Sequence, residues 1–145
     1  MYEGKHLRIP YRIYEGPTNP VVLSLFPRGA RELRLCSLTR HYDGHVRERY
    51  IKVVMAIDNP VVAPYIIRLC GEYVIEILYS IQLNLASYNH GFLRSFILEN
   101  RRFYEKNRRR MVSYWDCYYR SDFPKISDYV GYRIFTQLDE IAQDF

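Results

Sequence analysis

The spacing of hydrophobic and polar positions changes along the chain. Near the N-terminus Leu7, Ile9, Tyr11 and Ile13 alternate with His6, Arg8, Arg12 and Tyr14, the two-residue repeat of a strand. Pro10 falls inside that run and restricts it to an edge strand or an extended arm, because proline cannot donate to a ladder. Glu15 to Pro20 (EGPTNP) is a turn signal, and Val21 to Phe26 is a second short apolar run. Residues 1–29 are therefore expected to form a small β-hairpin or an extended arm packed on a helical body.

From Gly29 onward the repeat is helical. Residues 30–39 place Leu35 and Leu38 on one side and Arg31 and Arg34 on another. Tyr42-Asp43-Gly44 breaks the chain, and Asp43 is suited to accept backbone N–H bonds from the next turn as an N-cap. The helix it opens, over residues 45–57, is expected to bury Val46, Tyr50, Val53, Val54 and Ile57. Asn59 is a second N-cap, and Pro60 fits the first helical position, where its missing N–H costs nothing.

Over residues 60–86 apolar side chains surround most of the helical cylinder, leaving a narrow polar stripe of Arg68, Glu72 and Glu76. That pattern predicts a central helix buried on most sides. Gly71 within it marks either a break or a close helix contact. A long helix over residues 92–119 comes next. One face carries Phe92, Leu93, Phe96, Ile97, Phe103, Tyr104, Met111, Tyr114 and Trp115, and the other carries Arg94, Arg101, Arg102, Arg108 and Arg109. Arg110 falls on the apolar side. A last helix has the stripe Ile126, Val130, Ile134, Leu138 and Ile141. Its acidic end, Asp139, Glu140 and Asp144, opposes the helix dipole unless a basic neighbour pairs with it.

The length of 145 residues fits one helical domain, with residues 1–29 packed on it. No run of 18 apolar residues occurs, so no membrane span is predicted, and no signal-peptide core precedes the domain. Cys36, Cys70 and Cys117 are odd in number and far apart, which fits reduced thiols of a cytoplasmic protein and no CxxC site. Of the aromatic residues 15 are Tyr, against 7 Phe and 1 Trp, too many hydroxyls for a core, so some must sit at surfaces or interfaces. The net charge of +5 is concentrated: residues 94–120 hold eight basic and three acidic groups. Local charge of this kind steers anionic partners.

The motif Leu35-x-x-Leu38 followed by Asp43-Gly44-His45-Val46-Arg47-Glu48 resembles a helix pair of the HEAT-like helical-repeat family, over about residues 30–119. The resemblance implies that Asp43 caps the second helix, Val46 is core and Arg47 bonds the turn of a neighbouring repeat. Tyr42, Asp43, Val46, Tyr50 and Ile51 align 46 residues on with Tyr88, Asn89, Phe92, Phe96 and Ile97, a spacing within the period of such repeats. Arg47 becomes Leu93 in that second copy. The expected fold is thus mainly α, either antiparallel HEAT-like helix pairs or a helical bundle. With at most two and a half repeats, it would have to cap itself or form a homodimer.

Candidate chemistry is sparse. There is no HExxH, Walker A, GxSxG or GxGxxG motif, and the histidines (His6, His41, His45, His90) complete no metal-ligand pattern, so no enzyme, cofactor or metal is predicted. The basic run is the sharpest feature: Arg94, Arg101, Arg102, Lys106, Arg108, Arg109 and Arg110, flanked by Phe103, Tyr104, Tyr114, Trp115, Tyr118 and Tyr119. Guanidinium groups neutralise phosphates and exposed rings stack bases. A plain solvated face, with Glu105 and Arg109 paired at i,i+4, accounts for the same run. Tyr and Arg also dominate protein interfaces. The expectation is a non-enzymatic protein-protein interaction or adaptor module, or one that self-associates, using a Tyr/Arg-rich surface. The second reading is nucleic-acid binding through Arg94–Arg110.

Overall fold

The computed structural model describes residues 6–16 and 19–143. Those residues form eight α-helices and no strand, so the fold is mainly α. The helices are α1 (Pro20–Ser24), α2 (Arg28–Leu38), α3 (Gly44–Met55), α4 (Ala63–Cys70), α5 (Ile75–Leu85), α6 (His90–Glu99), α7 (Arg101–Tyr114) and α8 (Val130–Gln143). Short 3-10 turns, Pro60–Val62 and Ile126–Asp128, lead towards α4 and α8, and a π turn, Trp115–Tyr119, extends α7.

The N-terminal run is an extended arm. A single parallel bridge joins Ile13 to His41, through Ile13 N–H to Arg40 O at 2.9 Å and Tyr42 N–H to Ile13 O at 2.9 Å. The β-hairpin alternative fails, because Val21 to Phe26 contributes to the helix α1 and the turn after it. Asn19 caps α1, accepting from Val21 N–H at 2.8 Å, and Pro20 occupies its first position, so local capping overrides the β propensity of the valines. No residue of α1 is buried.

Both anticipated caps are present. Asp43 accepts from His45 N–H at 2.9 Å, and Asn59 accepts from Val61 N–H at 2.9 Å. The face that α3 buries differs from expectation: Arg47, Ile51, Val54 and Met55 are buried, while Val53 is exposed and Val46 and Tyr50 are half-buried. The helix is rotated by about one position because a charged residue, Arg47, leads its inner face.

Residues 60–86 are two helices, not one. Gly71 ends α4, and its missing side chain also admits α7: a Cβ there would lie 2.9 Å from the backbone oxygen of Asn107. Break and close approach are therefore one device. Residues 92–119 are likewise divided. Asn100 leaves helical geometry at φ −124° and ψ 44°, and its Nδ2 donates to Phe96 O at 3.0 Å. A side chain that bonds nearby backbone in this way competes with helix continuation.

α4 packs against α5, α6, α7 and α8, and α8 packs against α5, α6 and α7. α3 joins this centre through α5, and α2 through α3. One cluster of buried side chains connects Cys36 of α2 with Ile51 of α3, Ile66 and Leu69 of α4, Ile77 of α5, Leu93 of α6, Tyr104 of α7, and Ile134 and Leu138 of α8. Val46, assigned to the core by the HEAT-like resemblance, instead lines a shallow groove with His45, Arg49 and Tyr50. Among the described residues, no helix is long and apolar enough to cross a membrane.

Candidate functional site

Charge, not apolar packing, organises the region where the arm meets α4. The Glu72 carboxylate, 1% exposed, lies in the break after α4. Arg12 grips it with two bonds, Nη1 to Oε1 at 3.1 Å and Nη2 to Oε2 at 3.2 Å. Arg40 Nη1 donates to Oε1 at 3.2 Å, and Arg47 Nη2 stands 3.5 Å from Oε2. Burial by itself would raise the pKa of Glu72, but Arg12, Arg47 and Arg40 outweigh it and hold the carboxyl below its usual value. Burial pulls Arg40 the other way, down to about 10, against the opposing charge of Glu72.

One carboxylate cannot balance these guanidinium groups, and backbone carbonyls take up part of the surplus. Arg40 also donates to Pro10 O at 3.2 Å and Tyr11 O at 2.6 Å, which fastens the arm. Arg47 Nη1 donates to His41 O and Tyr42 O, both at 2.8 Å. Arg47 thus bonds the turn that precedes its own helix and reaches across to Glu72. Among the described residues no hydrogen bond uses its Nε or Nη2.

The cationic cluster continues to the surface. Arg68, on α4, sits with its guanidinium 5.9 Å from the Tyr11 ring and donates to Asn107 Oδ1 at 3.0 Å. The Gly71–Asn107 approach brings these groups together. Among the described residues Arg68 has no carboxylate within ion-pair distance, and burial, then the neighbouring cation Arg110, lower its pKa despite the attraction of Glu72. Arg110 lies 5.8 Å from the Tyr114 ring and reaches the Tyr114 hydroxyl at 3.4 Å. Tyr114 contacts Tyr73 at 5.7 Å and Tyr118 at 6.1 Å between ring centroids. Tyr11 and Tyr118 are each 63% exposed. Two groups thus meet at α7: Tyr11 and Arg68 at Asn107, and Arg110 with Tyr114, Tyr73 and Tyr118 one turn further along the helix.

The predicted basic run does not form one face, because Asn100 changes the helix axis between Arg94 and Arg101. Arg94 is half-buried on α6. Arg101, Arg102, Lys106 and Arg109 are exposed, with Arg102, Lys106 and Arg109 on one side of α7 at spacings of four and three. Arg108 turns inward to pair with Asp139 and bonds the Tyr104 hydroxyl at 3.3 Å. Burial works against its charge, but those partners outweigh burial and raise its pKa. Asp139 thus has the basic neighbour that its position at a helix C-terminus required; Asp144 lies outside the described residues. Glu105 and Arg109 form no ion pair among the described residues.

Tyr104 is fully buried, and its hydroxyl donates to Asp139 Oδ1 at 2.8 Å. Trp115 is half-buried, its Nε1–H donating to Phe123 O at 2.8 Å. The exposed cations of α7 therefore have no stacking platform in Tyr104. Beside Arg110 stands half-buried Tyr114, with exposed Tyr73 and Tyr118 against it. Reading along the sequence placed Glu72 on a polar stripe but missed its partners Arg12 and Arg40, and Tyr73, since only the fold joins residues separated by up to 60 positions. The placement of Arg110 on the apolar side of its helix was the available signal for the tyrosine-lined surface.

Among the described residues no group of three or more His, Cys, Asp or Glu side chains is placed to hold a metal ion. The fold and this surface together define a mainly α protein that presents buried and half-buried arginines to an aromatic face. No family model matches the chain, and neither a curated protein nor a solved structure matches it.

Proposed function

We propose that this chain is a non-enzymatic interaction module that binds an acidic protein segment on the surface formed by Tyr11, Arg68, Arg110, Tyr114, Tyr73 and Tyr118. The supporting observation is that Arg68 and Arg110 are partly desolvated, stand beside tyrosine rings and, among the described residues, have no carboxylate of their own. Carboxylates of an incoming segment would pair with them, and guanidinium groups held by neighbours lose less freedom on binding. Tyrosine rings beside them add contact area at low entropic cost. The HEAT-like reading of the helix pairs suits such a role but is not needed for it.

A fluorescein-labelled Glu-Glu-Tyr-Glu-Glu peptide, followed by anisotropy, tests the reading. Binding is expected to be lost in a Tyr73→Ala/Tyr114→Ala/Tyr118→Ala variant. Equal binding by that variant, or none by the native protein, would exclude this surface. The second reading, nucleic-acid binding, is favoured by the row Arg102, Lys106 and Arg109 with Arg101 beside it. Duplex and single-stranded DNA and RNA at two salt concentrations separate the two. A phosphate-backbone binder loses affinity steeply with salt and fails in an Arg101→Glu/Arg102→Glu/Arg109→Glu variant, whereas the acidic peptide, held by two arginines and by tyrosine rings, should lose less with salt and still bind that variant.

A further inference from the structure

Arginines and carboxylates are badly mismatched around Glu72, and the mismatch has a location. Arg12, Arg40 and Arg47 face it directly, and Arg68 lies next along α4, where it bonds Asn107 of α7; Arg110 follows Asn107 by three residues, one turn along the same helix. Both Glu72 oxygens are taken, by Arg12 on each side, by Arg40 on Oε1 and by Arg47 facing Oε2. Arg40 and Arg47 direct their remaining bonds to four backbone carbonyls. Among the described residues Arg68 bonds only a neutral amide oxygen, and Arg110 only a phenol, at 3.4 Å. The unbalanced charge therefore lies at the outer end of the cluster, between α4 and α7.

We propose that this outer end, at Arg68 and Arg110, binds the phosphate monoester of a phosphorylated segment of a partner protein. The proposal rests on the acidic-segment reading and specifies the group that the two arginines recognise. A phosphomonoester carries nearly two negative charges at neutral pH and three acceptor oxygens, enough for two guanidinium forks at once. A single side-chain carboxylate has half the charge and leaves one fork unfilled. The phosphodiester chain of a nucleic acid calls for a row of cations, and the row on this protein is the separate face of Arg102, Lys106 and Arg109. Arg68 is steadied by Asn107 and Tyr11, and Arg110 by Tyr114, so both forks are positioned before the ligand arrives. An arriving dianion offsets the repulsion that Arg110 exerts on the half-buried Arg68 cation.

The test compares a Glu-Glu-Ser-Glu-Glu peptide with its phosphoserine form at constant ionic strength, using the full chain. The phosphorylated peptide is expected to bind at least about tenfold more tightly, as two charge-assisted contacts should provide. That advantage should vanish in Arg68→Ala/Arg110→Ala and survive in Arg102→Ala/Arg109→Ala. Thermal melts by circular dichroism confirm that each variant is folded; should the double alanine variant unfold, Arg110→Gln alone is read, with a partial loss expected. Equal affinity for the two peptides would overturn the phosphate proposal and leave the acidic-segment reading standing. Binding of neither would remove both, and an advantage retained without Arg68 and Arg110 would place the phosphate elsewhere and overturn the proposal.

Discussion

Replacing Glu72 by glutamine should be among the most damaging changes of similar shape available in this protein. The side chain is buried and faces three guanidinium groups at 3.1 to 3.5 Å. At an effective dielectric near 20, each unit-charge pair about 4 Å apart contributes about 4 kcal/mol of attraction before desolvation is counted. Desolvation of the ions offsets much of that sum, and breaking a buried pair by removing one partner costs about 3–5 kcal/mol, because the remaining charge is stranded. Glutamine also turns an N–H pair towards an arginine that needs an acceptor. Domains of this size are typically stable by about 5–15 kcal/mol, so the variant should lose a large fraction of its stability. Urea denaturation followed by circular dichroism measures the loss, and a double-mutant cycle with Arg12→Ala should give a coupling of more than about 1 kcal/mol. A loss below about 1 kcal/mol for Glu72→Gln would refute the account of this cluster as mutually dependent charges.

Four other outcomes are open to measurement. Because the folded-state pKa of Glu72 is depressed, its contribution is complete above the unfolded value of about 4.3 and disappears as pH falls through the folded value; acid unfolding should be shallower in Glu72→Gln than in the native chain. Tyr129→Phe should leave stability unchanged or raise it by up to about 1 kcal/mol, since the buried hydroxyl has no hydrogen-bond partner among the described residues; a clear loss in thermal melts would contradict this. Gly71→Ala should cost about 1–3 kcal/mol through the clash with the Asn107 carbonyl, read by urea denaturation. Ellman's reagent should titrate Cys117 alone in the native state and all three thiols in denaturant. Cys36 and Cys70 are buried, and burial lifts the Cys36 thiol to about 12.

The elements most legible in the sequence were those governed by neighbours in the chain. Asp43 and Asn59 announce helix starts because capping acts over two residues. The stripe through Val130, Ile134, Leu138 and Ile141 announces α8 because it is apolar along one face, although Ile126, counted with it, lies in the 3-10 turn before the helix. The inner face of α3 was misplaced because periodicity assigns charged residues to solvent, whereas Arg47 is buried against the His41 and Tyr42 carbonyls and against Glu72, far along the chain. The long helix over residues 92–119 failed at Asn100, where one side-chain bond to Phe96 O tips a local balance that a helical wheel does not register. The basic residues were visible, but the break separated only Arg94 from the rest; the division of the others into the exposed side of α7, the Arg108–Asp139 pair and Arg110 depended on which helices pack against α7.

The arm's attachment also bears on the order of folding events. Its side-chain contacts with Arg40 and Glu72 close loops of 29 to 60 residues, whereas α2 and α3 are joined by a short turn. Loop-closure entropy must be met before such contacts form, so the arm is expected to dock after the helices have assembled and to detach first when the protein opens locally. Hydrogen exchange should then find the Ile13 and Tyr42 amides, which share the bridge, less protected than the amides within α4. Each opening would uncover Arg40 and Glu72 to water, giving the most buried charges of the molecule a transient life at its surface.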